Sequence, residues 1–150
     1  MVKHFYYQRH KTLTLNCILE LAEQSKIKEL HALPFPELMT FSKNLIDTHQ
    51  PIFVVEEVEA DKTTYHRHGT NQHQMRRIAQ NVGQVKGVKR IMVEMLKSMG
   101  ADVRLVKPLI GINKKKAKGD AKFFNQLTGW QFTSNEDKRD AALLALFAKY

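Results

Sequence analysis

The pattern of hydrophobic and polar positions predicts strands and helices in turn along the first part of the chain. Residues 26–33, KIKELHAL, favour a strand, and residues 36–48, PELMTFSKNLIDT, place their apolar side chains on one side of a helix. The β-branched and aromatic run at the start of residues 51–60, PIFVVEEVEA, is typical of a buried strand. Residues 13–23, LTLNCILELAE, are ambiguous between a strand and a helix.

A long helical pattern over residues 73–100 contains Gly83 and Gly87. A glycine inside a helix costs about 1 kcal/mol, and its small size allows close packing or the close approach of a backbone. The next segment, residues 101–108, predicts a strand. The alternation of helix and strand therefore continues into the second half of the chain.

The C-terminal part of the chain begins with a lysine-rich segment over residues 109–123, LIGINKKKAKGDAKF, which predicts a loop. It leads into a short helix over residues 120–130, and Trp130 is expected to pack under a last helix at about 135–149. Because helices and strands alternate, we expect an α/β fold in one domain over residues 1–150, with helices covering a sheet.

Composition narrows the classes of function. The chain has 24 lysines and arginines against 15 acidic residues, a net charge of +9, which favours a polyanionic partner and most often nucleic acid. Its one cysteine, Cys17, excludes an internal disulfide and a cysteine-based zinc site, and it fits a reducing compartment. No signal peptide is recognisable, and no apolar stretch approaches the roughly 18 residues of a membrane span. We therefore expect no membrane association.

Carboxylates near the end of one strand and at the start of the last helix are candidate metal ligands. Only one of Glu56 and Glu57 can share the inward face of a strand, because strand side chains alternate. Asp137 and Asp140, three residues apart, lie on one side of a helix. Three such charges repel one another unless a hard cation such as Mg²⁺ or Mn²⁺ lies between them. The alternative is that Asp137 is a helix cap and an early-turn acid that stabilises the positive end of the helix dipole, while Asp140 pairs with charges near Lys138 or with solvent.

Basic residues in the long helical segment are candidate DNA contacts. A stripe of cations can neutralise phosphates, although such a stripe can equally be a solvated helix face. The stripe consists of Arg76, Arg77, Lys86, Lys89 and Arg90.

The polar segment over residues 61–72 is a second candidate DNA contact and is expected to form an exposed loop. In it His66 and His68 flank Arg67, and three interpretations stay open, namely a DNA-contacting loop, an inert polar loop and a metal site. Tyr65 either stacks on a base or packs locally.

Four segments in series resemble the RuvC-like Holliday-junction resolvases, specifically the short phage and prophage type. The segments are VVEEVEA, NVGQVKGVKRIMVEMLKSMGADVRLVKP, KGDAKFFNQLTGW and TSNEDKRDAALLAL, and they cover about residues 52–146 in the family's order. The resemblance implies a ribonuclease-H-like fold with a central mixed sheet. It also implies a homodimeric, Mg²⁺-dependent endonuclease, with Mn²⁺ as an alternative ion, that cleaves branched double-stranded DNA in recombination and repair. Such an enzyme would work in the cytoplasm of a bacterial or phage-infected cell.

The resemblance also implies roles for individual residues. Glu56 would be the carboxylate at the end of the central strand, and Asp137 and Asp140 would be the two ligands on the final helix. Lysines ahead of the LTGW helix would contact phosphate or assist at the scissile group, and the candidates are Lys107, Lys114, Lys116 and Lys118.

One motif of the family is missing from this chain. The family's first strand carries an aspartate that binds metal, whereas FYYQRHKTLTLNC stands here and no aspartate precedes Asp47. Three interpretations are open: the start is altered or truncated, Asn16 replaces the aspartate on a surviving strand, or Glu20 has taken over. Each reduces the charge of the metal site, so a junction-binding protein with impaired catalysis is the main alternative. The third hypothesis for the function, after the resolvase and the junction-binding protein, is a ribonuclease-H-like domain that acts on other DNA.

Overall fold

The computed structural model describes residues 4–7, 16–23, 26–57 and 71–147. The strands within these ranges are β1 (His4–Tyr7), β2 (Asn16–Glu23), β3 (Lys26–Pro34), β4 (Ile52–Glu56) and β5 (Asp102–Val106). The helices are α1 (Phe35–Thr48), α2 (Gln72–Ser98), α3 (Ile112–Gly119), α4 (Ala121–Thr128) and α5 (Glu136–Phe147).

The strands form an antiparallel sheet and a parallel pair that lie side by side. Strand β2 pairs with β1 on one side and β3 on the other, both antiparallel, and β4 pairs with β5 in parallel. Strands β1 and β4 are in contact, so the strands follow the order β3-β2-β1-β4-β5. A parallel pair needs a crossover, and α2 lies between β4 and β5 in the chain and packs against β5. The expected α/β arrangement of antiparallel and parallel strands flanked by helices is therefore confirmed, with a three-stranded sheet beside a two-stranded one.

Strand β4 is buried on both faces because its side chains alternate between two layers of helices. Phe53 and Val55 belong to a core formed with α1 and α2, in which Met92 and Leu96 are fully buried. Val54 points the other way and packs with residues of α5. Helix α5 also contacts β1, β2 and β3, so it covers the opposite face of the sheet. A strand that is buried on both faces requires an uninterrupted apolar run, because neither face meets water.

The predicted elements are confirmed, with one exception. The ambiguous segment at 13–23 contains strand β2, and the other predicted strands and helices lie within a few residues of their expected bounds. The loop predicted at 109–123 is wrong in its central part, where α3 forms over Ile112–Gly119. Lysine is a good helix former, and the fully buried Ala117 packs this helix against Phe124. The predicted loop at 61–72 lies almost wholly outside the described residues.

Within the described ranges no helix is long and apolar enough to cross a membrane. Trp130 is partly buried against residues of α5, which confirms its expected packing role.

The glycines of α2 have no close neighbours among the described residues. Gly83 and Gly87 are not buried, and a Cβ atom added at either position would have no neighbouring atom of the described ranges within 4 Å. The close packing that their size allows is therefore not made between described residues of a single molecule.

We expect Gly87→Ala to stabilise the fold by about 0.5–1 kcal/mol, because alanine loses less backbone entropy in a helix. For a chain of this size the melting temperature should rise by about 1–4 °C. The matched control is Gly129→Ala, which should destabilise because Gly129 has a left-handed φ of 73° at the end of α4. Thermal unfolding followed by circular dichroism measures both, and a loss of stability at Gly87 would contradict an open helix face.

Candidate active site

The end of β4 sends two consecutive glutamates to opposite faces of the sheet. Ile52 and Val54 pack toward α5, so the alternation of strand side chains directs Glu56 to the same face. Glu56 lines a narrow crevice together with Leu109, Lys114, Asp140 and Leu144. Two of the three predicted carboxylates, which are far apart in sequence, are therefore brought into one crevice.

The start of α5 determines where the two aspartates lie. The helix is capped by Asn135, whose Oδ1 accepts a hydrogen bond of 2.8 Å from the backbone N–H of Lys138. Asp137 is thus not the cap, whereas its expected place as an acid in the first turn, where a negative charge favours the helix dipole, is confirmed. Asp140 lies one turn further and is 4% exposed, so it does not pair with solvent.

Asp140 binds two lysines of α3. Lys114 Nζ lies 2.6 Å from Asp140 Oδ1, and Lys118 Nζ lies 2.8 Å from Asp140 Oδ2. The two lysines are four residues apart and therefore share one face of α3. Their side chains are 24% and 28% exposed, so water screens these pairs less than it screens surface pairs. The structure thus joins Lys114, Lys118 and Asp140, three residues that the sequence resemblance selected.

Arg139 holds α3 against the start of α5, a role that the sequence did not reveal. It is 6% exposed, its Nε donates to the carbonyl of Lys118 at 2.7 Å, and its Nη1 donates to the carbonyl of Ser134 at 2.6 Å. These bonds fix the backbone of Lys118, whose ammonium contacts Asp140. The one available signal was a basic residue directly ahead of the apolar run DAALLALF.

Replacing Arg139 by glutamine should lower the free energy of unfolding by about 2–4 kcal/mol, because the charged hydrogen bonds from this buried side chain to two backbone carbonyls are removed. Urea denaturation measures the change. Lys122→Gln, which removes the same charge from an exposed position of α4, should change stability by less than about 0.5 kcal/mol. Equal effects of the two replacements would contradict the role given to Arg139.

The donor chemistry of the crevice fits a hard divalent ion, although no cluster of three ligands is assembled. Carboxylate oxygens are what Mg²⁺ and Mn²⁺ prefer, and Glu56 and Asp140 supply them. Among the described residues, no three His, Cys, Asp or Glu side chains come close enough together to hold a metal ion. The assignment of Glu56, Asp137 and Asp140 as metal ligands therefore stays a prediction.

The first strand offers no replacement for the missing aspartate. Strand β1, HFYY, contains no carboxylate. Asn16 begins β2 opposite Pro34, so it does not lie on the first strand. Glu20 lies within β2, where it pairs with His4 of β1 through the backbone.

A basic groove lies on the other face of the sheet, beside Glu57. It has a volume of about 240 Å³, and its charged lining residues are Glu57, Lys86, Lys89, Arg90, Glu94 and Lys97. Burial lowers the pKa of Lys89 below its ordinary value, while attraction to Glu57 and Glu56 opposes that shift. Lys97 was not among the predicted DNA contacts.

The other predicted DNA contacts are spread more widely. Arg76 and Arg77 are exposed on α2, and Arg76 lies about 15 Å along the helix axis from Lys86. Lys107 lines an adjoining groove of about 560 Å³, which shares Glu57 and Leu105 with the basic groove and also contains the exposed side chain of Phe147. Arg67, with its histidine neighbours, lies outside the described residues.

Comparison with known proteins relates the fold of this chain to a solved structure. No protein-family model matches the chain, and no curated protein matches its sequence. The structure of T. thermophilus RuvC in complex with Holliday junction substrate matches with a TM-score of 0.54 and 15% sequence identity, over 97% of this chain and 90% of that chain. The chain has a RuvC-like fold. The expected α/β, ribonuclease-H-like class is therefore confirmed.

Proposed function

We propose that this chain is a structure-selective endodeoxyribonuclease that cleaves branched DNA such as Holliday junctions. The observation that carries the proposal is the crevice in which Glu56, at the end of the parallel strand β4, meets Asp140 of the last helix. The RuvC-like fold supports it, because the matching structure is bound to a Holliday junction. The basic charge of the chain fits a DNA substrate.

In this proposal Glu56, Asp137 and Asp140 hold Mg²⁺ or Mn²⁺. When bound, these ions would supply positive charge at the scissile phosphate and would make an attacking water more acidic. The residues of the chain would orient the phosphate at the mouth of the crevice, and the ammonium groups of Lys114 and Lys118 lie at Asp140, one of the carboxylates that would bind the ion. They are therefore placed to donate hydrogen bonds to phosphate oxygens.

The DNA backbone would pass over the end of β4 and reach the basic groove. Glu56 lines the crevice and Glu57 lines the groove, so the two features are separated by a single peptide bond along the chain. Lys86 and Lys89 would then neutralise phosphates beside the cleavage site. A homodimer would present two such sites to two strands of a junction, and the exposed Ile91 and Met95 of α2 are apolar surface for that contact.

The second candidate is a junction-binding protein that lacks catalysis. It is favoured by two observations, namely that β1 contains no carboxylate and that Asp140 already binds two lysines. The lack of a carboxylate in β1 and the two lysines at Asp140 would both weaken the binding of a divalent ion. Neither feature involves the residues of the basic groove.

Cleavage of a labelled four-way DNA junction tests the two candidates. We expect paired nicks with Mg²⁺ or Mn²⁺ and none with chelator. Asp140→Asn should lower the rate by more than about 100-fold, since even the loss of an outer partner of a metal ligand costs about 10–100-fold. Junction binding by the variant should be kept, because the DNA-contacting cations remain.

Asp47→Asn is the matched control, since Asp47 is an exposed carboxylate of α1 that pairs with Lys43. It should cleave like the wild-type protein. Equal loss of binding and cleavage in Asp140→Asn would contradict its assignment as a ligand. Tight junction binding without nicks in either metal would favour the second candidate, and preferred cutting of replication forks would favour action on other DNA.

The basic groove gives a separate prediction about binding. Replacing Lys86 and Lys89 together by glutamine should weaken junction binding and reduce the slope of log Kd against log salt by about 2, one unit for each phosphate that is no longer neutralised. Lys43→Gln removes a charge from α1 outside the groove and should leave the slope unchanged. Fluorescence anisotropy in chelator over a range of salt measures both slopes, and an unchanged slope in the double variant would exclude the groove as a DNA-binding surface.

A further inference from the structure

Both oxygens of the Asp140 carboxylate are already engaged by cations of the chain itself. Lys114 binds Oδ1 at 2.6 Å and Lys118 binds Oδ2 at 2.8 Å, and the carboxylate is only 5% exposed. Together these three side chains carry a net charge of +1. A divalent cation that approaches Asp140 in this state meets two ammonium groups, and like charges at such range repel strongly.

We propose that Lys114 and Lys118 act as a gate that blocks Asp140 from divalent ions until the phosphates of DNA draw the two ammonium groups away. The inference rests on the proposed function, and it concerns the order of events at the same crevice. DNA at the mouth of the crevice brings negative phosphate oxygens to the partly exposed lysines, and these oxygens accept hydrogen bonds from lysine as a carboxylate does. Once the lysines contact phosphate, Glu56 and Asp140 regain a negative site that attracts the ion.

The gate can open without any movement of the helix that carries it. Arg139 holds the carbonyl of Lys118, and the fully buried Ala117 anchors α3 between the two lysines. The lysine side chains reach Asp140 through four-carbon stems with several rotatable bonds. Rotation of these stems is therefore sufficient, while the backbone of α3 stays packed against α5.

A gate of this kind makes DNA and metal bind cooperatively. If phosphate removes the lysines from Asp140, DNA raises the affinity for the ion, and by linkage the ion raises the affinity for DNA by the same factor. The affinity of the site for the ion would therefore be low until DNA is bound.

Titration of the protein with Mn²⁺ alone, with free Mn²⁺ counted by electron paramagnetic resonance, tests the gate directly. Lys114→Gln and Lys118→Gln should each bind Mn²⁺ about tenfold more tightly than the wild-type chain, because one repulsive charge is removed. Lys115→Gln is the matched control, since it removes the same charge from an exposed position of the same helix. It should bind Mn²⁺ like the wild-type chain.

Either lysine variant alone is sufficient for the test, provided that its melting curve shows a folded protein. Equal Mn²⁺ affinities in the wild-type chain and both folded variants would overturn the gate, as would weaker binding in the variants. An equal increase in Lys115→Gln would also overturn it, because the effect would then reflect net charge and not contact with Asp140.

A second measurement tests the coupling to DNA with Ca²⁺, chosen to occupy the site without supporting cleavage. Ca²⁺ should tighten junction binding by the wild-type chain, and this gain should disappear in the variant with both Lys114→Gln and Lys118→Gln. A gain of equal size in the double variant would contradict the gate. A wild-type chain that neither binds nor cuts junctions would instead contradict the proposed function, and the Mn²⁺ titration without DNA would still decide whether the lysines block Asp140.

Discussion

The alternation of side chains along β4 is the constraint on which the rest of the structure depends. Each residue of the strand faces either the layer of α1 and α2 or the layer of α5, and the apolar residues Phe53, Val54 and Val55 fill both layers. Since the period continues past the apolar run, the two glutamates that follow are divided between the same two faces. A shift of the register by one residue would exchange them and would move Glu56 away from Asp140.

Burial gives the crevice its chemical character. An isolated carboxylate as shielded as Asp140 would be costly to keep ionised, so its charge must be compensated by partners on neighbouring elements. In this structure Lys114 and Lys118 provide that compensation, and a metal ion could provide it equally well. If Asp140 binds a metal ion as proposed, the lysines and the ion would be two alternative ways to balance the same charge.

The sequence predicted the elements whose local pattern is strong and missed features that depend on distant partners. The run IFVV predicted strand β4 and the helical period after residue 71 predicted helix α2, and neither prediction required tertiary information. The resemblance selected four residues of the crevice region, Glu56, Lys114, Lys118 and Asp140. Helix α3 was missed because its face toward the core is a single alanine, which gives no periodic signal. The pairing of Lys118 with Asp140 and the bond from Arg139 to Lys118 span 22 and 21 residues, and no spacing rule reaches that far.

The bond from Arg139 to the carbonyl of Lys118 has a consequence for how this part of the molecule opens. One guanidinium joins the last turn of α3 to the segment ahead of α5, so neither can separate without leaving buried polar groups without partners. The two helices should therefore unfold locally as a single cooperative unit, with amide protons that exchange with solvent at a shared rate. The backbones that carry Lys118 and Asp140 would then keep their relative position through every fluctuation short of that opening, and only the lysine side chains would be free to move while the unit stays closed.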